Sequence, residues 1–224
     1  PWTVNTASSD QQYYSHRNAT TQDVLGAITA GRALYNYSGH GGNTSWAGAQ
    51  SGGSVEASHV RSLQHPGMYP YVISNACITG TLAYSTDCFA ETWFKQPQGG
   101  AIAFLGASDS SYWDEDDYME RAYYAHLFPT NQQPPLREQV NLANMGVYEA
   151  YNGGGKSLYY YEVYNLLGDP STYLWMKRPQ EVVADHMGTI LVGMNSYSVS
   201  LSTPGGEPVA GAMVSLSGDR KSVV

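Results

Sequence analysis

Two side chains in this sequence have the types needed for covalent catalysis at a carbonyl group: Cys77 and His40. An imidazole beside a thiol draws off its proton, and the thiolate that remains is the nucleophile. His40 lies in a glycine-rich stretch, Gly39-His40-Gly41-Gly42. Backbone without Cβ lets a substrate approach closely, and its N–H groups donate to a developing oxyanion. The N–H groups of Gly41 and Cys77 are the natural donors. One Cys and one of six His do not single out a catalytic pair by themselves.

A second candidate is acidic. Asp109 is followed by Asp114-Glu115-Asp116-Asp117 and Glu120. Two readings stay open. Carboxylates favour the amino end of a helix, where the macrodipole is positive. A buried carboxylate also selects a Lys or Arg side chain, because leaving it unpaired is costly.

The elements around these residues read as alternating strands and helices. Ala33–Tyr37 is a short strand that opens into the glycine turn. Tyr69–Ser74 is a buried strand running into Asn75-Ala76-Cys77, and Ala101–Leu105 is the next. Their runs alternate little between apolar and polar, as central parallel strands do. Thr20-Thr21 caps a helix that ends at Gly31, and Ser54–Leu63 is a short helix candidate. Asp87 starts a helix through about Lys95 with Phe89, Trp93 and Phe94 turned inward. Further helices are expected over Asp116–Leu127 and Pro135–Tyr151, and a late strand over Tyr173-Leu174-Trp175. The order implies an α/β fold with a parallel sheet and helices on both faces. Ligands bind such sheets beyond the carboxyl ends of the strands. His40 and Cys77 each fall just past such an end, so topology alone puts both on one rim.

After Arg178-Pro179 the pattern changes to short alternating stretches: Thr189–Val192, Ser196–Leu201 and Val214–Leu216. These read as the opening strands of a β-sandwich. The expected division is therefore 1–178 and 179–224.

Composition narrows the function. The net charge is −8, which disfavours phosphate backbones and anionic membranes, so no nucleic-acid partner is expected. No apolar stretch approaches the roughly 20 residues of a membrane span. Charged residues are only 13%, with 19 Tyr and 24 Gly filling the gap. Such uncharged polar surfaces accompany secreted bacterial proteins. No leader is visible at Pro1-Trp2-Thr3, so the chain reads as an internal fragment of a longer protein. The two cysteines, Cys77 and Cys88, are too few for a disulfide framework, and no spacing suggests a metal site. Neither a metal nor a cofactor is expected. Cys88 reads as a small buried hydrophobe. His59 and His65 read as structural or surface groups, and Tyr159-Tyr160-Tyr161 as aromatic packing.

Local sequence adds a family. Asn36-Tyr37-Ser38-Gly39-His40-Gly41-Gly42-Asn43-Thr44-Ser45-Trp46 resembles the histidine segment of the gingipain family of cysteine peptidases. Ser74-Asn75-Ala76-Cys77-Ile78-Thr79-Gly80, then Asp87-Cys88-Phe89-Ala90-Glu91, resembles its nucleophile segment. Ser111-Tyr112-Trp113-Asp114-Glu115-Asp116 is similar to the pocket segment of the lysine-cleaving members, and Leu167-Gly168-Asp169-Pro170 to the closing turn.

The resemblance implies a caspase-like α/β fold whose amino-terminal part is missing, followed by a truncated immunoglobulin-like β domain. It implies peptide hydrolysis through an acyl-enzyme, with Cys77 as nucleophile and His40 as general base and acid. Asp116 takes the place of the residue that binds the substrate lysine, and Trp113 that of the aromatic wall. Ser38 stands where the family has a Thr, and with Asn75 completes the substrate-binding set. The acidic residue that orients the histidine is expected upstream of Pro1, in a part of the polypeptide needed for activity. Neither Asp10 nor Asp23 matches it. The expected partners are protein or peptide substrates, at a secreted or cell-surface location in a bacterium. Two alternatives stand beside hydrolysis: a gingipain-like transpeptidase acting in protein secretion, and a non-catalytic surface or adhesion fragment.

Overall fold

The computed structural model describes residues 3–4, 13–14, 20–48, 53–128, 134–174, 180–189, 193 and 196–215. It divides into two compact units, Pro1–Met176 and Lys177–Val224.

The first unit opens with a pair of two-residue strands, β1 (Thr3–Val4) and β2 (Tyr13–Tyr14). Helix α1 (Thr21–Thr29) follows, its start fixed by Thr20, which accepts from the Asp23 N–H while Asp23 accepts from the Thr20 N–H. That reciprocal cap satisfies two N–H groups that a helix start leaves orphaned. Strand β3 (Leu34–Ser38) leads into a small antiparallel sheet of β4 (Gly41–Gly42), β5 (Ser45–Trp46) and β6 (Val55–Glu56). Then come α2 (Ala57–Arg61), β7 (Tyr71–Asn75), α3 (Phe89–Lys95), β8 (Ala103–Ala107), α4 (Trp113–Leu127), α5 (Leu136–Ala150), α6 (Ser157–Val163) and β9 (Tyr164–Gly168).

The central sheet has the order β3-β7-β8-β9. The first three strands are parallel and β9 is antiparallel to β8. Every residue of β7 and β8 is buried, which is why their sequences show no polar alternation. Alternate residues serve opposite faces. Tyr71, Ile73, Ala103 and Leu105 pack under Met119, Tyr123 and Leu127 of α4 and Leu136, Ala143 and Val147 of α5. Val72 and Phe104 pack on the other side, against Phe89 and Trp93 of α3 and Trp46. Helices thus cover both faces, and the sheet has a parallel core with one antiparallel edge.

Three expectations need correction. The late strand is Tyr164–Gly168, not Tyr173–Trp175; Tyr173 makes only an isolated bridge to Pro135, and Trp175 lies outside the described residues. Phe94 is exposed, because the sheet-facing stripe of α3 is Phe89, Ala90 and Trp93. Asp87 does not cap α3; Glu91 accepts from the Cys88 N–H at 3.0 Å, and Asp87 pairs with Lys95 instead.

In the second unit, β10 (Val183–His186) and β11 (Val199–Ser202) form an antiparallel pair, with Val183 opposite Ser202 and His186 opposite Val199. Of Thr189–Val192 only Thr189 is described, and it forms no strand; Val214 and Ser215 are not in a strand either, and Leu216 lies outside the described residues.

Candidate active site

The rim of the sheet is set by register. Ser38, the last residue of β3, is paired with Asn75, the last of β7, and the Gly39 N–H donates to the Asn75 carbonyl at 3.1 Å. His40 and Cys77 therefore each leave the sheet two residues beyond the same rung. The segments stay close afterwards: a Cβ on Gly41 would stand 2.7 Å from the Cys77 carbonyl oxygen. Only a residue without a side chain fits there.

Cys77 is half-buried. Its sulfur accepts from the Ser111 N–H at 3.3 Å, and its thiol points to the Ser111 carbonyl at 3.5 Å. Ile78, the next residue, has φ +53°, in the left-handed region that β-branched side chains rarely adopt. The bend is held from several directions. The Ile78 N–H donates to Asp109 C=O at 3.0 Å and the Gly80 N–H to Ala107 C=O at 2.8 Å. Below it the Thr79 and Ser74 hydroxyls meet at 3.0 Å, and Ser74 accepts from the Trp46 indole at 2.9 Å.

His40 is pinned through its main chain. Its carbonyl accepts from the Tyr37 hydroxyl at 2.8 Å and from the Ala47 N–H at 2.9 Å. Its exposed ring meets the Trp113 ring edge-to-face, with centroids 5.6 Å apart. Trp113 begins α4 and is 60% exposed, so its indole is open to a ligand as well.

One turn into α4, Asp116 is only 4% exposed. Its carboxylate accepts from three hydroxyls: Tyr164 at 2.6 Å and Tyr160 at 2.9 Å on Oδ1, and Ser111 at 2.9 Å on Oδ2. Burial pushes its carboxyl up; the three hydroxyls oppose this, and the nearby Glu115 charge adds to it. Ser38 is exposed and Asn75 is fully buried; neither is hydrogen-bonded to Asp116. The rest of the acidic run diverges. Asp117 pairs with Arg121 on the surface, while Glu115 faces Lys156 at 3.7 Å, whose ammonium lies over the Tyr112 ring.

Glu120 follows Asp116 by one turn. It accepts from the Asn36 side-chain amide. Burial pushes its carboxyl up to about 6; the Asn75 carboxamide beside it opposes the rise, and the Asp116 and Asp117 charges add to it. Asn75 forms no hydrogen bond of ordinary geometry with either of its polar atoms, and Asn36 Oδ1 is likewise buried without a partner.

Ser111, Tyr160 and Tyr164 escaped the sequence reading as partners of Asp116, whereas Glu120 was read only as part of the acidic run. The signal for the two tyrosines was spacing: Tyr160 and Tyr164 are four apart, as are Asp116 and Glu120. His59 accepts from the Glu56 N–H and His65 is buried near the Gly100 carbonyl, both as framework groups. Among the described residues no cluster of His, Cys, Asp and Glu fits a metal ion, and no helix is long and apolar enough to cross a membrane.

Lys-gingipain HG66 of Porphyromonas gingivalis is 27% identical over 227 residues, covering 92% of this chain and 12% of that protein. Gingipain R2 of the same species (strain ATCC 33277) is 24% identical, covering 81% of this chain and 25% of that one. The chain thus spans about an eighth to a quarter of the length of these relatives. Among solved structures, one described as a protease superimposes with a TM-score of 0.66 at 25% identity, over 80% of this chain and 43% of that one. The Arg-specific cysteine proteinase gingipain R superimposes at 0.69 with 21% identity, over 83% and 43%, and so shares the fold. The sequence profile of peptidase family C25 matches residues 2–175. The chain belongs to peptidase family C25.

Proposed function

We propose that this chain carries the nucleophile and specificity pocket of a cysteine endopeptidase that cuts after lysine. The single observation that supports it best is Ser111. Its N–H donates to the Cys77 sulfur and its hydroxyl to the Asp116 carboxylate, so one residue joins a nucleophile to a counter-charge. A side chain held at Asp116 then brings the carbonyl that follows it to the sulfur.

In this reading the Cys77 thiolate attacks the scissile carbonyl, and the oxyanion is held by the N–H groups of Gly41 and Cys77. His40 takes the thiol proton and gives it to the departing amine, leaving a thioester on Cys77. Water then attacks the thioester with His40 as base, releasing the acid and restoring the thiol. Trp113 lines the aliphatic stem of the lysine and Asp116 receives its ammonium, where the cation and the ring interact favourably. Ser38 and Asn75 complete the pocket wall. The enzyme acts on proteins or peptides outside a bacterial cell or on its surface, together with the rest of its own polypeptide. Residues 179–224 open an immunoglobulin-like domain.

The test is cleavage of peptides ending in Lys, Arg or Asp by the full-length protein. Cleavage after Lys is expected. No cleavage of any, or a preference for Asp, overturns the reading. Adding an amine nucleophile separates hydrolysis from acyl transfer: the transpeptidase alternative predicts that the amide product replaces the acid.

A further inference from the structure

Asp116 is largely satisfied before any substrate arrives. Three hydroxyls occupy most of the roughly four acceptor positions of a carboxylate. Glu120, one helical turn later, is not. Like charges four residues apart on a helix repel each other. Here both are turned toward the sheet, and among the described residues neither is ion-paired with a Lys or Arg. A buried carboxylate beside a half-buried one is a liability unless a cation comes between them.

The surroundings show the same want. Asn75 is 1% exposed, its carboxamide lies against Glu120, and its Oδ1 is buried without a hydrogen-bond partner. Asn36, which donates to Glu120, has its own carbonyl oxygen buried and unpartnered. Buried polar atoms without partners are rare, and the two carboxamide oxygens, Asn36 Oδ1 and Asn75 Oδ1, mark a place where a donor is expected. Side chains on a helix lean back toward its amino end, so the carboxylate of Glu120 leans toward the turn that holds Asp116.

From this arrangement we infer that Glu120 is a second specificity-determining residue. With Asp116 and the carboxamide oxygens of Asn36 and Asn75, it forms an acceptor-rich floor that receives the terminal cation of a basic substrate side chain. The inference rests on the reading of Asp116 as the pocket carboxylate and extends it. Asp116 supplies a charge held by three hydroxyls; Glu120 supplies a second charge, held by carboxamide groups alone.

The experiment compares two peptide substrates that differ only at the residue before the cut, lysine or its uncharged isostere norleucine, in the full-length protein. Glu120→Gln removes the charge with little change of shape. It is expected to lower kcat/KM for the lysine substrate roughly 10-fold to 100-fold, mainly through KM, and to leave the norleucine substrate within about 2-fold. Glu120→Asp keeps the charge but withdraws it by one methylene; an intermediate lysine-to-norleucine ratio is expected, and this variant decides the matter if Glu120→Gln does not fold. An unchanged ratio in the folded variant, or an equal fall for both substrates, overturns the role of Glu120 and leaves the pocket reading standing. A wild-type protein with no preference for lysine over norleucine overturns both.

Discussion

The main-chain N–H of Ser111 donates to the sulfur of Cys77 at 3.3 Å, across 34 positions of sequence. That bond ties the loop after β8 to the loop after β7. A donor aimed at the sulfur fixes its place beside the loop that leads into α4.

The two cysteines should therefore separate cleanly under alkylation. Cys88 is fully buried, and burial pushes its thiol up. Cys77 is partly accessible. Brief iodoacetamide treatment of the folded protein, followed by peptide mass spectrometry, is expected to place the label on Cys77 and abolish cleavage. Cys77→Ala should leave no turnover, while Cys88→Ala keeps it. Label on Cys88 first would contradict the assignment.

Gly41→Ala tests the closeness of the His40 and Cys77 segments. The added Cβ would meet the Cys77 carbonyl oxygen, the Ala76 Cβ and the Thr79 Cγ2 at 2.7 to 2.8 Å, and none is the far end of a flexible side chain. The segments must part. The expected result is a loss of about 1–3 kcal/mol in urea unfolding and at least a 10-fold fall in kcat, roughly in line with overpacking elsewhere.

Tyr160→Phe and Tyr164→Phe each remove one hydroxyl from Asp116 Oδ1. Those hydrogen bonds hold the Asp116 carboxyl down against burial, so losing one raises it further. In the proposed pocket Asp116 acts in its charged form, which exists above that pKa. The acid limb of kcat/KM for a lysine substrate should therefore move to higher pH in both variants. A limb that stays in place would separate Asp116 from the substrate's cation.

Glu120 predicts a pH dependence of stability. Its carboxyl is raised from 4.5 to about 6 in the fold, so between those values the folded state holds a proton that the unfolded state has released. Stability from this group is present below pH 4.5 and is lost as pH rises through 6. The other titratable groups near it are Asp116, Asp117 and the Tyr124 hydroxyl. Urea midpoints from pH 4.5 to 7 should fall less steeply for Glu120→Gln than for the wild type.

Much of the frame was legible because strong local signals coincide with burial. Tyr71–Asn75 and Ala103–Ala107 are apolar runs bounded by turn residues, and both became fully buried parallel strands. β9 was misplaced because Tyr164–Gly168 is an edge strand, mostly half-buried, whose first residue continues a tyrosine run that reads as packing. Phe94 misled because an apolar side chain at a helix end does not announce which way it faces. The hydroxyl cradle of Asp116 was out of reach for a different reason. Tyr160 and Tyr164 arrive from α6 and β9, more than forty positions downstream, and only the antiparallel return of β9 brings them beneath α4.

The order β3-β7-β8-β9 leaves Leu34–Ser38 bordered on one side only, among the described residues. Strand β7, which leads to Cys77, is bordered on both sides, by β3 and β8. The segment that carries His40 therefore leaves from the margin of this sheet and the segment that carries Cys77 from its interior, so a disturbance along the margin reaches the imidazole before the thiol.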